Sequence, residues 1–109
     1  MKRVDADEID RTGEIPEWVF KELTAIKSFA LKVPSGYGGR GLSQINYAKG
    51  AMVSGIYCGN IAALLSAHQS IGVPQPLLMY GTDYQKERYL PMFVDGSVSA
   101  FALTEVDVG

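Results

Sequence analysis

The sequence predicts an all-α fold, a helical bundle that ends in one β-strand. Apolar residues recur at helical spacing through most of the 109 residues, and Ser, Thr, Pro and Gly stand where helices begin and end. Only residues 98–103 alternate between two faces as a strand does. A single strand is not stable without a sheet. Residues 1–96 are therefore predicted to form a helical domain, and residues 97–109 the opening strand and loop of a β-domain that is absent from the chain.

The N-terminal half predicts three helices. The first covers Val4–Asp10 and ends at Gly13. Pro16 occupies the first position of the second helix, whose apolar residues continue at helical spacing to Phe29. After a glycine-rich loop, Ser43 is predicted to cap the third helix.

The C-terminal half predicts one buried helix and one capped helix. Asn60 is placed to cap a helix over 61–71, which is apolar almost all round and is therefore expected to be buried. Two prolines interrupt the chain after it. Thr82 and Gln85 then have the spacing of a capping box, and the helix that follows is predicted to end near Leu90, before a proline.

Charge is distributed unevenly along the chain. Residues 1–22 and residues 83–109 each carry a net charge of −3, whereas residues 23–82 hold four basic residues and no acidic one. Within this middle part, Gly50–Thr82 is a stretch of 33 residues without a charge. Exposed helices normally carry charge on their outer face. A missing part of the protein or a partner subunit is therefore expected to cover this stretch.

The composition excludes several classes of protein. The net charge of −2, with no cluster of basic residues, excludes a nucleic-acid binder. The acidic N-terminus does not resemble a secretory signal, and polar residues and prolines break the uncharged stretch too often for a membrane span. The single cysteine, Cys58, excludes an internal disulfide and fits a reducing compartment.

Residues 36–41 match the pattern G-x-G-x-x-G, which binds dinucleotides in some folds. That site needs an acidic residue about 20 positions later to hold the ribose. The first acidic residue after the loop is Asp83. The glycines are therefore predicted to connect two helices.

His68 is the only histidine, and it lies on the apolar helix with no second ligand nearby. A hydrogen-bonded core histidine is predicted in preference to a metal ligand, and a position beside a ligand pocket is the alternative. Cys58 is predicted to pack as a small apolar side chain. Four aromatic residues on and beside the last helix are also predicted to lie in the core: Tyr80, Tyr84, Tyr89 and Phe93.

Three strings resemble the acyl-CoA dehydrogenase flavoproteins, in the same order and at similar spacing. They are VPSGYGGRGLS (33–43), AHQSIG with LLMYGTDYQKERYLPMFVDGS (67–97), and AFALTEVDVG (100–109). The family reads approximately VPEEYGGLGLS, then GTEEQKQRYLPKLASGE, then AFALTEPDAGSD. AHQSIG resembles the branch that acts on very long acyl chains. The chain departs from the family at Val106 and Val108, where Pro and Ala are common, and in the helix after the glycine loop, which lacks the usual Glu.

The resemblance implies an architecture of an N-terminal helical domain, a middle β-domain and a C-terminal helical domain, with FAD bound where the last two meet a neighbouring subunit. The chain would be the N-terminal piece with an incomplete first helix. By the same resemblance, Phe101 and Leu103 line the isoalloxazine ring and Thr104 hydrogen-bonds it. The family's catalytic glutamate lies in the C-terminal domain, so no catalytic residue is expected here, and neither Glu105 nor Asp107 takes that role.

A substrate-binding face is expected on the helix over 61–71. Ala63, Ala67 and Ile71 are spaced at i, i+4 and i+8 and therefore share one face. In the family this helix lines the acyl pocket, where small side chains leave room for a long tail. Close packing of two helices against the alanines is the equally weighted alternative.

The resemblance implies the N-terminal part of an FAD-dependent acyl-CoA dehydrogenase, in which this fragment alone is inactive. The expected partners are an acyl-CoA substrate, an electron-transfer flavoprotein and further copies in a homodimer or homotetramer, in the cytoplasm or the mitochondrial matrix. No metal is expected. Two alternatives stay open: a non-catalytic helical interaction module derived from that fold, and an acyl-CoA oxidase or flavin monooxygenase of the same fold.

Overall fold

The computed structural model describes residues 4–102 and 104–108, and this part of the chain is predominantly helical, as predicted. The described part has no β-strand. Its elements are α1 (Ala6–Thr12), α2 (Glu17–Ala25), a 3₁₀ turn (Ser28–Ala30), a second 3₁₀ turn (Ser35–Tyr37), α3 (Gln44–Tyr57), α4 (Gly59–Ser66), a π-turn (Ala67–Ile71), α5 (Pro74–Tyr80) and α6 (Asp83–Val94).

The predicted helix caps of α1, α3 and α6 are confirmed. Gly13 ends α1 in the left-handed region, at a φ of 72°. The Ser43 hydroxyl accepts a hydrogen bond from the backbone N–H of Asn46 at 3.3 Å. Thr82 and Gln85 form both bonds of a capping box, with Thr82 N–H donating to Gln85 Oε1 at 2.9 Å. The Ser43 and Thr82 caps satisfy backbone N–H groups that the first helical turn leaves unpaired, and Gly13 N–H donates to the Ile9 carbonyl of the last turn of α1 at 2.8 Å.

Helix α2 ends at Ala25, four residues before the predicted end. Lys27 has a φ of 57°, which turns the chain out of the helix. Two side-chain contacts with the glycine loop stabilise this turn. Arg40, in the loop, donates twice to the Ile26 carbonyl, at 2.9 and 3.1 Å. Lys27 Nζ donates to the Gly38 carbonyl, also in the loop, at 2.9 Å. These are long-range contacts, which hydrophobic spacing does not reveal.

Two further predicted boundaries are wrong. Helix α4 begins at Gly59 with Cys58 as its cap, and the Asn60 side chain donates to Asp10 Oδ1 at 3.3 Å instead of capping the helix. Helix α6 passes through Pro91 to Val94. Proline removes one donor to the carbonyl four residues earlier, and here that residue is the exposed Glu87, which water can satisfy.

The two prolines predicted to interrupt the chain lie in the first turn of α5. Pro74 is the first residue of that helix, where its missing N–H has no helical partner to lose. The fixed φ of proline favours a helix start, so the segment 74–80 forms a helix.

The glycine loop connects helical segments, as predicted. Its backbone folds back on the chain before it: Arg40 N–H donates to the Ala30 carbonyl at 3.0 Å, and Gly41 N–H donates to the Val33 carbonyl at 2.8 Å. The loop therefore closes the corner between α2 and α3 by main-chain bonds.

Among the residues that the structure describes, the core has two clusters of buried side chains. The first is formed by Ile9, Val19, Phe29, Cys58, Ile61 and Leu65, and the second by Ala30, Val33, Leu77, Leu90 and Phe93. The prediction that Cys58 packs as a buried apolar residue is confirmed.

Helix α3 is largely exposed in the structure. Its apolar stripe includes Ile45, Met52 and Ile56, and 79% of Ile56 is accessible to solvent. Only Tyr47 of this helix is buried. Within the described residues nothing covers the stripe, so its cover by another part of the protein or by a partner stays a prediction.

Residues 97–102, predicted to open a β-domain, form no strand in the structure. A strand needs a hydrogen-bonded neighbour, and the only bridge in this region of the described chain joins Glu105 and Val108. Their place in a sheet stays a prediction. None of the helices described is both long and apolar enough to cross a membrane.

Candidate functional site

An apolar groove of about 410 Å³ lies where the π-turn, α5, the start of α6 and residues 100–101 meet. Most of its lining is apolar, and Gln85 adds a polar side chain. Its side chains include Ile71, Val73, Leu77, Tyr80, Tyr89 and Phe101. A pocket with mainly apolar walls and a few polar groups suits a flat or elongated organic ligand.

Gly72 allows residues 97–102, the C-terminal segment, to reach this groove. A Cβ at this position would overlap the Ser99 Oγ and the His68 carbonyl oxygen. In the π-turn directly before it, the backbone hydrogen bond spans one residue more than in an α-helix, and Gly72 N–H donates to the Ala67 carbonyl at 2.7 Å. The absence of a side chain at Gly72 therefore lets residues 97–101 cross the end of the π-turn in close contact.

His68 is buried at the junction of the two core clusters. Its ring lies edge-on to Phe29 of the first cluster and to Phe93 of the second, at centroid distances of 5.6 and 5.2 Å. Nε2 lies 2.8 Å from the Phe29 carbonyl oxygen, and Nδ1 accepts the backbone N–H of Ser99 at 2.9 Å. The predicted hydrogen-bonded core histidine is confirmed.

Burial lowers the pKa of His68 below its ordinary value of 6.5, and the hydrogen bond to the Phe29 carbonyl opposes this shift without cancelling it. The neutral imidazole is therefore the form that the fold favours. It can act as donor through one nitrogen and acceptor through the other.

Sequence reasoning missed the role of Gln69. Its side chain is fully buried and bridges to the first 3₁₀ turn and the two residues after it (28–32, the 3₁₀ corner). Nε2 donates to the Ser28 carbonyl at 2.9 Å, and Oε1 accepts the backbone N–H of Lys32 at 3.2 Å. Two adjacent polar residues, His68 and Gln69, on an otherwise apolar helix were the available signal. Both satisfy backbone groups of the corner that the helix packs against.

The structure brings together one residue of the predicted substrate-binding site and one of the predicted flavin-binding site. Ile71, predicted to bind substrate, and Phe101, predicted to contact flavin, line the same groove. Ala63 and Ala67 are exposed and lie outside its lining. Thr104 is exposed, and Leu103 lies outside the described residues.

The prediction that the tyrosines near α6 pack in the core is wrong. Tyr80 is 80% exposed and Tyr84 is 66% exposed, while Tyr89 is partly accessible; only Phe93 is buried. Leu90 and Phe93 occupy the inward face of α6, so Tyr84 and Tyr89 fall on its outer side, and Tyr80 is the last residue of α5. Tyr80 and Tyr89 are thereby available to the groove.

Comparison with known proteins identifies the family. The family model described as "Acyl-CoA dehydrogenase, N-terminal domain" matches residues 2–97. The chain belongs to the acyl-CoA dehydrogenase family. The groove therefore has one side within this acyl-CoA dehydrogenase domain and one side, Ala100 and Phe101, in the segment that follows it.

Several curated relatives match nearly all of the chain. It is 48% identical over 109 residues to a probable acyl-CoA dehydrogenase of Mycobacterium tuberculosis, covering 100% of this chain and 17% of that protein. It is 41% identical over 101 residues to the mitochondrial very long-chain specific acyl-CoA dehydrogenase of Rattus norvegicus, covering 92% and 15%. It is 38% identical over 114 residues to a 3-(aryl)acrylate reductase of Clostridium sporogenes, covering 95% and 28%. The chain thus spans a minor part of each relative's length.

Proposed function

We propose that the chain forms one wall of the flavin and acyl-CoA site of an FAD-dependent acyl-CoA dehydrogenase. The reaction is the α,β-dehydrogenation of an acyl-CoA thioester. The observation that carries this proposal is the groove shared by Ile71 and Phe101. A dehydrogenase must hold the acyl chain against the flavin. Ile71 is the residue expected to contact the acyl chain, Phe101 is the residue expected to contact the flavin, and both line this groove.

The C-terminal segment offers an aromatic ring and hydrogen-bond donors that could contact a flavin. Phe101 is 60% exposed and presents its ring at the groove. In the described part of the chain, the main-chain N–H groups of Ala100, Phe101 and Ala102 donate to no protein acceptor. Together with the exposed Thr104 hydroxyl, they are available as donors to a ring edge.

When bound, FAD supplies the hydride acceptor for this reaction. Phe101 and Leu103 would contact the ring, and Thr104 would donate a hydrogen bond that orients it. The α-proton of the thioester would pass to a glutamate outside this chain. The isolated chain would therefore be inactive, and in the whole protein electrons would pass on to an electron-transfer flavoprotein.

Ala63, Ala67 and Ile71 would form part of the acyl pocket. Both alanines are exposed, and among the residues described no helix packs over them. Their exposure weakens the alternative in which they allow close packing of two helices within this domain. It leaves a shallow surface on α4 and the π-turn that an acyl chain could follow.

The test is flavin binding by the whole protein that contains this chain. Purified wild-type protein should show flavin absorbance and should reduce an electron-transfer flavoprotein in the presence of a saturated acyl-CoA. Thr104→Ala should weaken FAD binding, whereas Val106→Ala, which changes a neighbouring exposed residue, should not. A folded wild-type protein without flavin would contradict the proposal and favour a non-catalytic interaction module.

The similarity to a 3-(aryl)acrylate reductase suggests a second candidate function, the reduction of an unsaturated substrate. The same geometry could place the β-carbon of an unsaturated substrate against the flavin. The wild-type protein distinguishes the two: a dehydrogenase oxidises the saturated acyl-CoA when an acceptor is present, and a reductase consumes the unsaturated substrate only when an electron donor is supplied.

A further inference from the structure

We propose that His68 is a positioning residue of the flavin site: as a neutral imidazole protonated at Nε2, it fastens the segment that carries Phe101 to the end of the π-turn. This consequence for flavin rests on the proposed function above. The attachment itself is a property of this chain and can be tested without any ligand.

The hydrogen-bond partners assign the tautomer of His68. The backbone N–H of Ser99 can only donate, so Nδ1, which lies 2.9 Å away, must accept and carries no proton. The Phe29 carbonyl oxygen can only accept, so Nε2 must carry the proton and donate to it at 2.8 Å. One ring thus joins the 3₁₀ corner to the C-terminal segment.

Ser99 is the point where that segment is attached. Its hydroxyl oxygen accepts the backbone N–H of Val73 at 3.1 Å and lies 3.3 Å from the His68 carbonyl oxygen. The hydroxyl also lies 2.9 Å from Nδ1. Because the lone pair of Nδ1 already receives the backbone N–H, the His68 carbonyl is the acceptor left for the hydroxyl proton.

The attachment sets the position of Phe101. Among the residues described between 98 and 104, every hydrogen bond to the body of the domain is made by Ser99. Phe101 follows two residues later, about 7 Å along an extended chain. A change at the His68–Ser99 contact would therefore move Phe101 relative to the groove.

Protonation of His68 would break this attachment. A proton on Nδ1 would face the N–H of Ser99, so that two donors would oppose each other. The groups that face the ring are the Phe29 ring and carbonyl from the 3₁₀ corner, the Phe93 ring from α6, and Ser99. None of these described neighbours carries a charge that could stabilise an imidazolium.

Nuclear magnetic resonance of the ¹⁵N-labelled chain tests the attachment, since His68 is the only histidine. We expect ring shifts of the Nε2–H tautomer at neutral pH, and amide signals of Ser99 and Phe101 that change together with His68 protonation on acidification. An Nδ1–H tautomer, or a His68 titration that leaves the Ser99 amide unchanged, would overturn the proposal.

Two variants separate positioning from general packing. His68→Asn retains an acceptor near the place of Nδ1, and His68→Gln retains a donor near the place of Nε2. The Ser99 and Phe101 amides should stay close to their wild-type shifts in His68→Asn and move in His68→Gln, and both variants should lose the pH response. Equal displacement in both folded variants would show a merely structural role. Ser70→Ala is the control, because Ser70 bonds Tyr47 and not His68.

The consequence for flavin is measured in the whole protein. His68→Gln should weaken FAD binding about tenfold relative to His68→Asn, the effect of one lost hydrogen bond. Equal FAD affinities would overturn the positioning role. If the wild-type protein binds no FAD, the proposed function fails and the flavin part of this proposal fails with it, while the magnetic resonance data still decide the attachment.

Discussion

Gly39 lies so close to Val33 that no other residue fits. A Cβ on Gly39 would stand 2.5 Å from the Val33 Cβ and 2.7 Å from its carbonyl carbon. Val33 is buried in the second core cluster and cannot move without disturbing it. Through this contact the glycine loop packs directly against the core.

Gly39→Ala should therefore destabilise the chain by about 1–3 kcal/mol, the usual cost of overpacking a well-packed site. Urea unfolding measures the change. Gly36→Ala is the matched control, because a Cβ there meets no atom within 4 Å. Equal unfolding midpoints for the two variants would contradict this account of the loop.

Thr82→Ala should lower the free energy of unfolding by about 1 kcal/mol, because it removes the side-chain oxygen that caps α6. Thr82→Ser keeps that oxygen and should remain close to wild type. Thermal unfolding followed by circular dichroism compares the two. A serine variant as unstable as the alanine variant would assign the effect to the lost methyl group.

The stability of the chain should fall as the pH drops below about 6.5, the ordinary pKa of histidine. Burial holds the pKa of His68 below that value in the folded chain. The unfolded chain therefore binds a proton first, so the contribution of His68 is complete above 6.5 and is lost progressively down to its folded pKa. Urea unfolding at several pH values checks this, and His68→Asn should show a smaller pH dependence between pH 7 and pH 5.

Ala67→Phe should reduce kcat/KM for long acyl-CoA substrates on the order of tenfold more than for short ones, because the new ring would block the far part of the pocket. Ala67 is exposed in this domain, so the fold itself has room for the ring. Steady-state kinetics of the whole protein measure the ratio. Ala48→Phe, at an exposed position on α3, should leave it unchanged, and an equal loss on long and short substrates would refute the pocket assignment.

The sequence by itself determined the helical class and the caps of α1, α3 and α6. These depend on neighbours in the chain: the hydroxyl of Ser43 or Thr82 reaches only the next turn, and Gly13 ends α1 by its own backbone conformation. The buried state of His68 and Cys58 also followed from local composition. Three strings in the right order were sufficient to indicate the family.

Only the tertiary structure decided where α2 ends, which side of α6 its tyrosines occupy, and how Ser99 meets His68. Each of these depends on residues far apart in the chain, such as Arg40 bonding the Ile26 carbonyl or Gly72 admitting Ser99. Periodicity gives the faces of a helix but not the partner that each face meets. The groove lined by Ile71 and Phe101 depends on the close approach of Ser99 to Gly72, and no local pattern encodes a contact between residues so far apart in the chain.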